Sequence, residues 1–284
     1  MSKAFIYCDG GFGNRFNSLI SGLFLAKACN REPLIIWPET RWTEASFTDI
    51  FDSKVTEFKE FNSTTFFKQY DPVNIVHWNP WGAEVEQHNC MGIYMGIDQF
   101  LNAYKDKNVM FYTSVICPWV DIYGLQPILD QVPFQPYLRQ AANDFIQANF
   151  NNEEFFGLHV RRTDHAYQLN EDEFISEMNS NLDRMYFVCS DDPQAELKFK
   201  NHCPNVRTYD KTSYVELYNP EGGWNTLTRD ETGHQFPFNV KRSKQSVIEA
   251  MVDLLILSAS TVINQDHRST FLQTATLLKR HRNV

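Results

Sequence analysis

The sequence predicts an α/β fold built as two sheet-containing domains. Three observations carry that reading: a strand, a glycine-rich turn, a helix and a second strand follow one another at the N-terminus; strand and helix patterns alternate again after residue 155; and 284 residues exceed one typical domain.

The first strand is the apolar run Ala4-Phe5-Ile6-Tyr7-Cys8, followed by Gly10-Gly11-Phe12-Gly13-Asn14-Arg15. From 16 to 29, Leu19, Ile20, Leu23 and Phe24 recur at helical spacing, and Leu34-Ile35-Ile36-Trp37, closed by Pro38, reads as the second strand. Glycines between a strand and a helix let backbone approach a ligand, and N–H groups at a helix start favour negative charge. The turn serves equally well without a ligand. A dinucleotide fingerprint needs a third glycine where Phe16 stands, and Glu39 comes late for the ribose acid, so a nicotinamide-dependent oxidoreductase is disfavoured.

Between 40 and 108 periodicity weakens and aromatics gather, notably His77-Trp78-Asn79-Pro80-Trp81-Gly82 and Tyr94-Met95-Gly96. Such rings suit either the flat face of an acceptor sugar or the packing of loops on a core. Residues 109–113 read as a strand, 127–136 as a boundary and 137–149 as a helix. The domain junction is expected near 150, giving domains 1–150 and 151–284.

In the second half, strands are expected at 155–160 and 185–189 and helices at 171–181 and 194–201. A parallel sheet with crossover helices follows. The first of these strands ends in Arg161 and Arg162, whose planar forks suit a phosphate, diphosphate or carboxylate, or an exposed ion pair. The second ends in Ser190-Asp191-Asp192-Pro193, with Asp192 expected to cap the helix that Pro193 opens. Residues 213–242 read as a long irregular stretch containing Gly222-Gly223-Trp224 and Gly233-His234, of the kind that is functional or mobile. Ser246 and Glu249 have capping-box spacing; Val247, Met251, Leu254 and Leu255 line an apolar face; Asp253, off that stripe, reads as solvated from spacing alone. A strand at 261–264 leads to Arg268-Ser269-Thr270-Phe271, where a terminal helix begins and where hydroxyls and N–H groups suit phosphate oxygens or form a plain N-cap.

A net charge of -9 argues against bulk electrostatic binding of nucleic acid or anionic membrane. The six cysteines (Cys8, Cys29, Cys90, Cys117, Cys189 and Cys203) form no C-x-x-C pair and read as free thiols of a reducing compartment. With no signal-like segment and no run of membrane-spanning length, a soluble cytoplasmic protein is expected.

His159-Val160-Arg161-Arg162-Thr163-Asp164 resembles the donor-binding motif of the α1,6-fucosyltransferases and the His-x-Arg-Arg-Gly-Asp form of the α1,2-fucosyltransferases, in a superfamily shared with protein O-fucosyltransferases. Ser190-Asp191-Asp192-Pro193 resembles the second motif of that family. The run from Asp253, closed by Arg268-Ser269-Thr270-Phe271, follows in the family's order, and Gly11-Phe12-Gly13-Asn14-Arg15 resembles its N-terminal loop. The resemblance covers the second half of the chain well and the first half only at that loop.

It implies a GT-B fold, two Rossmann-like domains facing a central cleft, with 1–150 on the acceptor side and 151–284 binding the nucleotide sugar. It also implies inverting, metal-independent transfer of L-fucose from GDP-fucose to a glycan acceptor hydroxyl, with no cofactor beyond the donor. Arg162 is then expected to grip the β-phosphate, supported by Arg161 and His159, with Ser190 and Asp191 lining the donor site. Arg268, Ser269 and Thr270 fall near the diphosphate, Asp253 accepts from guanine, and Gly11, Gly13, Asn14 and Arg15 lie at the donor–acceptor cleft. The family's general-base glutamate falls on Leu169 here, leaving Asp164, Glu171, Asp172 and Glu173 as nearby candidates, and His165 replaces its lysine. An arginine clamp agrees with the lack of an Asp-x-Asp triplet for a metal. A different donor sugar, such as rhamnose or xylose, and a noncatalytic nucleotide- or carbohydrate-binding relative are the alternatives.

Overall fold

A computed structural model describes residues 3–58, 73–78, 108–113, 116, 124–164, 169–229, 235–236, 238–262, 264 and 269–281, with backbone alone at 56–58, 73–78, 108–113 and 235–236. Two compact units emerge, Met1–Glu39 with Ser46–Phe134, and Thr40–Ala45 with Gln135–Val284.

In the first unit β1 (Lys3–Tyr7) leads through α1 (Phe12–Ala28) to β2 (Glu32–Ile36), then α2 (Phe47–Ile50), β3 (Thr56–Phe58), β4 (Val73–Trp78), β5 (Asn108–Thr113) and α3 (Gln126–Leu129). The five strands form a parallel sheet in the order β3-β2-β1-β5-β4. Helix α1 lies so close on β1 that a Cβ at Gly22 would stand 2.5 Å from Ile6 Cγ2. Phe12, Phe16, Phe51 and Phe134 stack into the core beside it, and Trp37 and Phe47 extend the cluster.

The second unit contains α4 (Pro136–Phe150), β6 (Phe156–Val160), α5 (Glu171–Ser180), β7 (Tyr186–Ser190), α6 (Pro193–His202) and β8 (Val206–Arg207). A short antiparallel pair, β9 (Thr228–Arg229) and β10 (Gln235–Phe236), follows, then α7 (Lys244–Ala259), β11 (Thr261–Val262) and α8 (Thr270–His281). The parallel sheet runs β11-β6-β7-β8. Period-two alternation divides its strands between two faces. Leu158, Val160, Tyr186 and Val188 join Met178 of α5 and Phe199 of α6 in one core cluster. On the opposite face Phe187 meets Phe145 of α4, and the ring of His159 stacks on Phe271 of α8 at 4.8 Å. Gly157 is required there, because a Cβ would fall 2.1 Å from Ser260 Oγ.

Three expectations change. The junction lies at 134/135 rather than near 150, because α4 packs against α7 and belongs to the second unit, to which Thr40–Ala45 also returns. Helix α7 starts earlier than the expected capping box: Ser243 is its N-cap and accepts from the Ser246 N–H, while Glu249 accepts from the backbones of Thr212 and Ser213 instead. That helix is buried on nearly every side, including Val252, Ile256 and Leu257, so Asp253 is buried rather than solvated.

Candidate functional site

Ligands of open parallel sheets collect outside the C-terminal strand ends where the strand order reverses. In the second unit that place is the end of β6, which has β7 on one side and β11 on the other. Register makes the adjacent motifs meet. His159 pairs with Cys189 and Val160 with Ser190, so Arg161-Arg162 and Asp191-Asp192 leave neighbouring strands side by side. Where β11 ends, Asn264 extends the ladder through its side chain, accepting from the His159 N–H at 3.1 Å and donating to the His159 carbonyl at 2.7 Å.

Asp191 organises the turn. Its Oδ1 accepts from the Arg162 N–H at 2.8 Å and its Oδ2 from the Thr163 hydroxyl. Asp192 caps α6, accepting from the Gln194 N–H at 2.9 Å, and the Asp192 N–H donates to Ser190 Oγ at 3.0 Å.

The two arginines differ. Alternation turns Arg162 toward α5, where Nε donates to Glu171 Oε1 at 2.6 Å, Nη2 donates to Glu171 Oε2, and Nη1 lies 3.4 Å from Asp192. The fork expected to grip phosphate is therefore closed on carboxylates. Arg161 Nε donates to the Asp164 carbonyl at 2.7 Å and its Nη2 pairs with Asp164 Oδ1 at 3.0 Å, while its Nη1 makes no hydrogen bond among the described residues. A third guanidinium that the motifs do not mark, Arg242, donates from Nη2 to the same Asp164 oxygen at 2.7 Å. No motif in the sequence marked it.

These pairings bear on the candidate bases. Asp164 is buried and held by two arginines. Burial alone would raise the Glu171 carboxyl, but Arg162 and Lys198 outweigh it and hold it below the usual range. Asp172 is ion-paired to Lys198 at 2.8 Å, and Leu169 packs against the apolar cluster. A carboxylate so held is a weak proton acceptor.

At the ends of β7 and β8 a buried polar cluster surrounds Asp253. Lys211 Nζ lies 2.6 Å from Glu196 Oε1, 2.6 Å from Asp253 Oδ2 and 2.7 Å from the Ser190 carbonyl, and Tyr214 donates to Glu196 at 2.7 Å. Asp253 Oδ1 is buried with no hydrogen-bond partner among the described residues. Burial pushes the Asp253 carboxyl up to about 7 against the opposing charge of Lys211, with Glu196 adding to the rise. Ser269, also buried, accepts from the Leu272 N–H at 3.3 Å in the first turn of α8, where Thr270 begins the helix; Arg268 lies outside the described residues.

In the first unit Gly10 takes φ +82° and its N–H donates to Asp9 at 2.6 Å. Gly11 is the N-cap of α1, with no side-chain cap and nothing within 4 Å of a notional Cβ; Gly13 and Asn14 follow in the first turn. Arg15 is turned into the unit's interior. It is fully buried, lies over the Trp37 ring at 5.0 Å, and donates to the carbonyls of Gly10 and Pro38, each at 2.8 Å. Its charge is sequestered in fastening the glycine turn to the end of β2.

Other expected features lie outside the described residues: 79–82, 94–96, His165, Gly233, His234, Cys90 and Cys117, and the side chains of His77 and Trp78. Cys8, Cys29, Cys189 and Cys203 are free thiols. Among the described residues no helix is long and apolar enough to cross a membrane.

No protein-family profile matches the chain, and no curated protein matches it in sequence. Solved structures do resemble it. NodZ α-1,6-fucosyltransferase co-crystallised with GDP superposes with a TM-score of 0.57 at 16% identity, over 98% of this chain and 92% of that one. Fucosyltransferase NodZ from Bradyrhizobium gives 0.58 at 15% identity over the same shares. POFUT1 in complex with GDP-fucose gives 0.51 at 14% identity, over 99% and 95%. At these identities the likeness is one of fold, and the α/β, GT-B class expected from sequence agrees with it.

Proposed function

We propose that the chain is a glycosyltransferase that moves L-fucose from GDP-fucose to a hydroxyl of a glycan acceptor, inverting the anomeric centre without a metal. The observation that carries this reading is Arg161 at the tip of β6, fixed through Asp164 and with an N–H unspent, at the strand-order reversal of a fold shared with structures that hold GDP and GDP-fucose. In the reaction the bond between the anomeric carbon and the diphosphate oxygen breaks, the acceptor oxygen forms the new bond from the opposite face, and negative charge collects on the departing GDP. A preorganised guanidinium stabilises that charge in the place a divalent ion takes elsewhere.

In this reading Arg161 is the clamp. Arg162 positions the turn through Glu171 and Asp191, and Asp253 offers a carboxylate oxygen to guanine. Ser269, Thr270 and Arg268 belong to the diphosphate side and Gly11 to Asn14 to the acceptor side. The free thiols support a reducing, cytoplasmic setting. The test is calorimetry with GDP, UDP and GDP-fucose, followed by transfer of labelled fucose to an oligosaccharide panel. Failure to bind GDP or GDP-fucose overturns it.

One observation favours a second reading, a noncatalytic nucleotide-sugar binder: Leu169 packs against the apolar cluster, and the neighbouring carboxylates Asp164, Glu171 and Asp172 are ion-paired. Binding of GDP-fucose with neither transfer nor donor hydrolysis would decide for it.

A further inference from the structure

Arg242 has no place in the motifs, yet the fold spends several contacts on fixing it. Its N–H donates to the Arg41 carbonyl at 2.8 Å, its own carbonyl accepts from the Glu44 N–H at 3.1 Å, and its guanidinium lies over the Trp42 ring at 5.9 Å. Segment Thr40–Ala45 thus grips it on both sides, and the Trp42 ring is braced edge-on by Phe238. Nη2 is used on Asp164 Oδ1, the oxygen that Arg161 also holds. Nη1 is buried and has no hydrogen-bond partner among the described residues.

A buried, unpaired N–H of a guanidinium is costly, and a group of this kind that a fold retains calls for a partner that completes it. Two guanidinium groups meeting on one carboxylate oxygen also repel, and the charge of Arg161 is among the causes that lower the Arg242 pKa, after burial. An anion with several acceptor oxygens relieves both costs together. Arg161 Nη1 and Arg242 Nη1 each have N–H groups to give, and phosphate groups match planar guanidinium donors.

We propose that Arg242 is a second ligand-binding arginine, donating through Nη1 to the diphosphate that Arg161 engages, with Asp164 as the shared brace that aims both. The identification of that diphosphate as part of a GDP-sugar rests on the function proposed above; the anion site does not.

The test compares wild type with Arg242→Lys, which keeps the charge and a bond to Asp164 but lacks the planar fork that aims a second nitrogen at the anion. Calorimetry uses GDP, guanosine and inorganic pyrophosphate. Arg242→Lys should weaken GDP and pyrophosphate by about tenfold or more while guanosine binds as in wild type. Unchanged GDP affinity overturns the proposal, since an ordered water then completes Nη1. Equal losses for GDP and guanosine also overturn it, because the role is then purely structural. Should the variant not fold, hydrogen exchange on wild type decides: pyrophosphate must protect 238–244, and protection that omits this segment overturns the proposal. Wild type that binds pyrophosphate as tightly as GDP-fucose keeps the arginine site and removes the donor assignment; wild type that binds neither removes the arginine site.

Discussion

Arg162 and Glu171 form a two-point ion pair, Nε to Oε1 at 2.6 Å and Nη2 to Oε2, joining the tip of β6 to the first residue of α5. Lys198 from α6 reaches the same carboxylate at 3.1 Å, so one glutamate ties a strand and two helices together. The pair is only partly buried, which limits its worth through solvent screening.

Glu171→Gln should therefore cost about 1 kcal/mol at neutral pH. The Glu171 carboxyl is held below its usual range, with burial outweighed by Arg162 and Lys198. A depressed carboxyl contributes stability above the unfolded-state pKa and loses it as pH falls through the folded one. Denaturant titrations at neutral and acidic pH should show the cost shrinking at acid pH, and a cost independent of pH would remove the ion pair as its source.

Arg161→Ala should lower turnover by roughly a hundredfold or more while leaving the melting temperature near wild type, because the clamp acts on charge formed in the transition state. Arg161→Lys should recover little, having no fork. Arg162→Ala should instead lower stability and turnover together. Near-normal transfer by Arg161→Ala would assign the clamp elsewhere.

Neighbouring glycines of the first turn separate backbone need from ligand need. Gly10 has φ +82° and a Cβ there would lie 3.1 Å from Asn14 Nδ2, so Gly10→Ala should destabilise by about 1 to 2 kcal/mol. Gly11→Ala meets nothing and should melt like wild type, yet lose transfer activity if a substrate passes close to this backbone. Full activity in Gly11→Ala would take substrate contact away from the turn.

The strand–helix alternation was legible because period-two and helical patterns survive wherever an element packs on one core face: β6, β7 and their helices fall within a residue or two of expectation. Asp253 was misread because the apolar face of α7 hid how completely α4, the sheet and α8 enclose that helix, and a lysine 42 residues away decides whether an acid is solvated or paired. The distinct contacts of Arg161 and Arg162 depend on which sheet face each leaves from, and that can be read only after the end of β6 is known. Arg242 and Arg15 look alike on paper. Only the contacts show that Arg15 donates to two carbonyls while Arg242 Nη1 has no partner among the described residues.

Transfer should proceed unchanged in EDTA if arginines carry the leaving-group charge. Activity lost to the chelator and restored by manganese would place a cation in the reaction.

The last prediction concerns Asp253 and pH. Guanine presents a ring N–H and an amine side by side, a pair that a carboxylate accepts together, whereas uracil offers one ring N–H on the comparable edge. Oδ2 is committed to Lys211 at 2.6 Å and Oδ1 is buried without a partner among the described residues, so an ionised Asp253 has one oxygen, with two lone pairs, to offer the paired donors of the base. Burial first, opposed by Lys211 and reinforced by Glu196 and Glu249, raises the carboxyl to about 7. A raised carboxyl gives stability that is fully present below the unfolded-state pKa and is lost as pH rises through the folded one. Guanine binding runs the other way, because the protonated acid replaces an acceptor with a donor that faces guanine's own N–H groups. GDP affinity should therefore climb as pH rises through about 7, and bound GDP should lower the pKa of the acid. UDP should show no such climb, and Asp253→Asn should bind GDP weakly and independently of pH. Calorimetry of both nucleotides at about pH 6 and about pH 8 reads all of this: equal pH dependence for GDP and UDP, or undiminished GDP affinity in Asp253→Asn, would leave the carboxylate as a structural partner of Lys211 and remove guanine recognition from it.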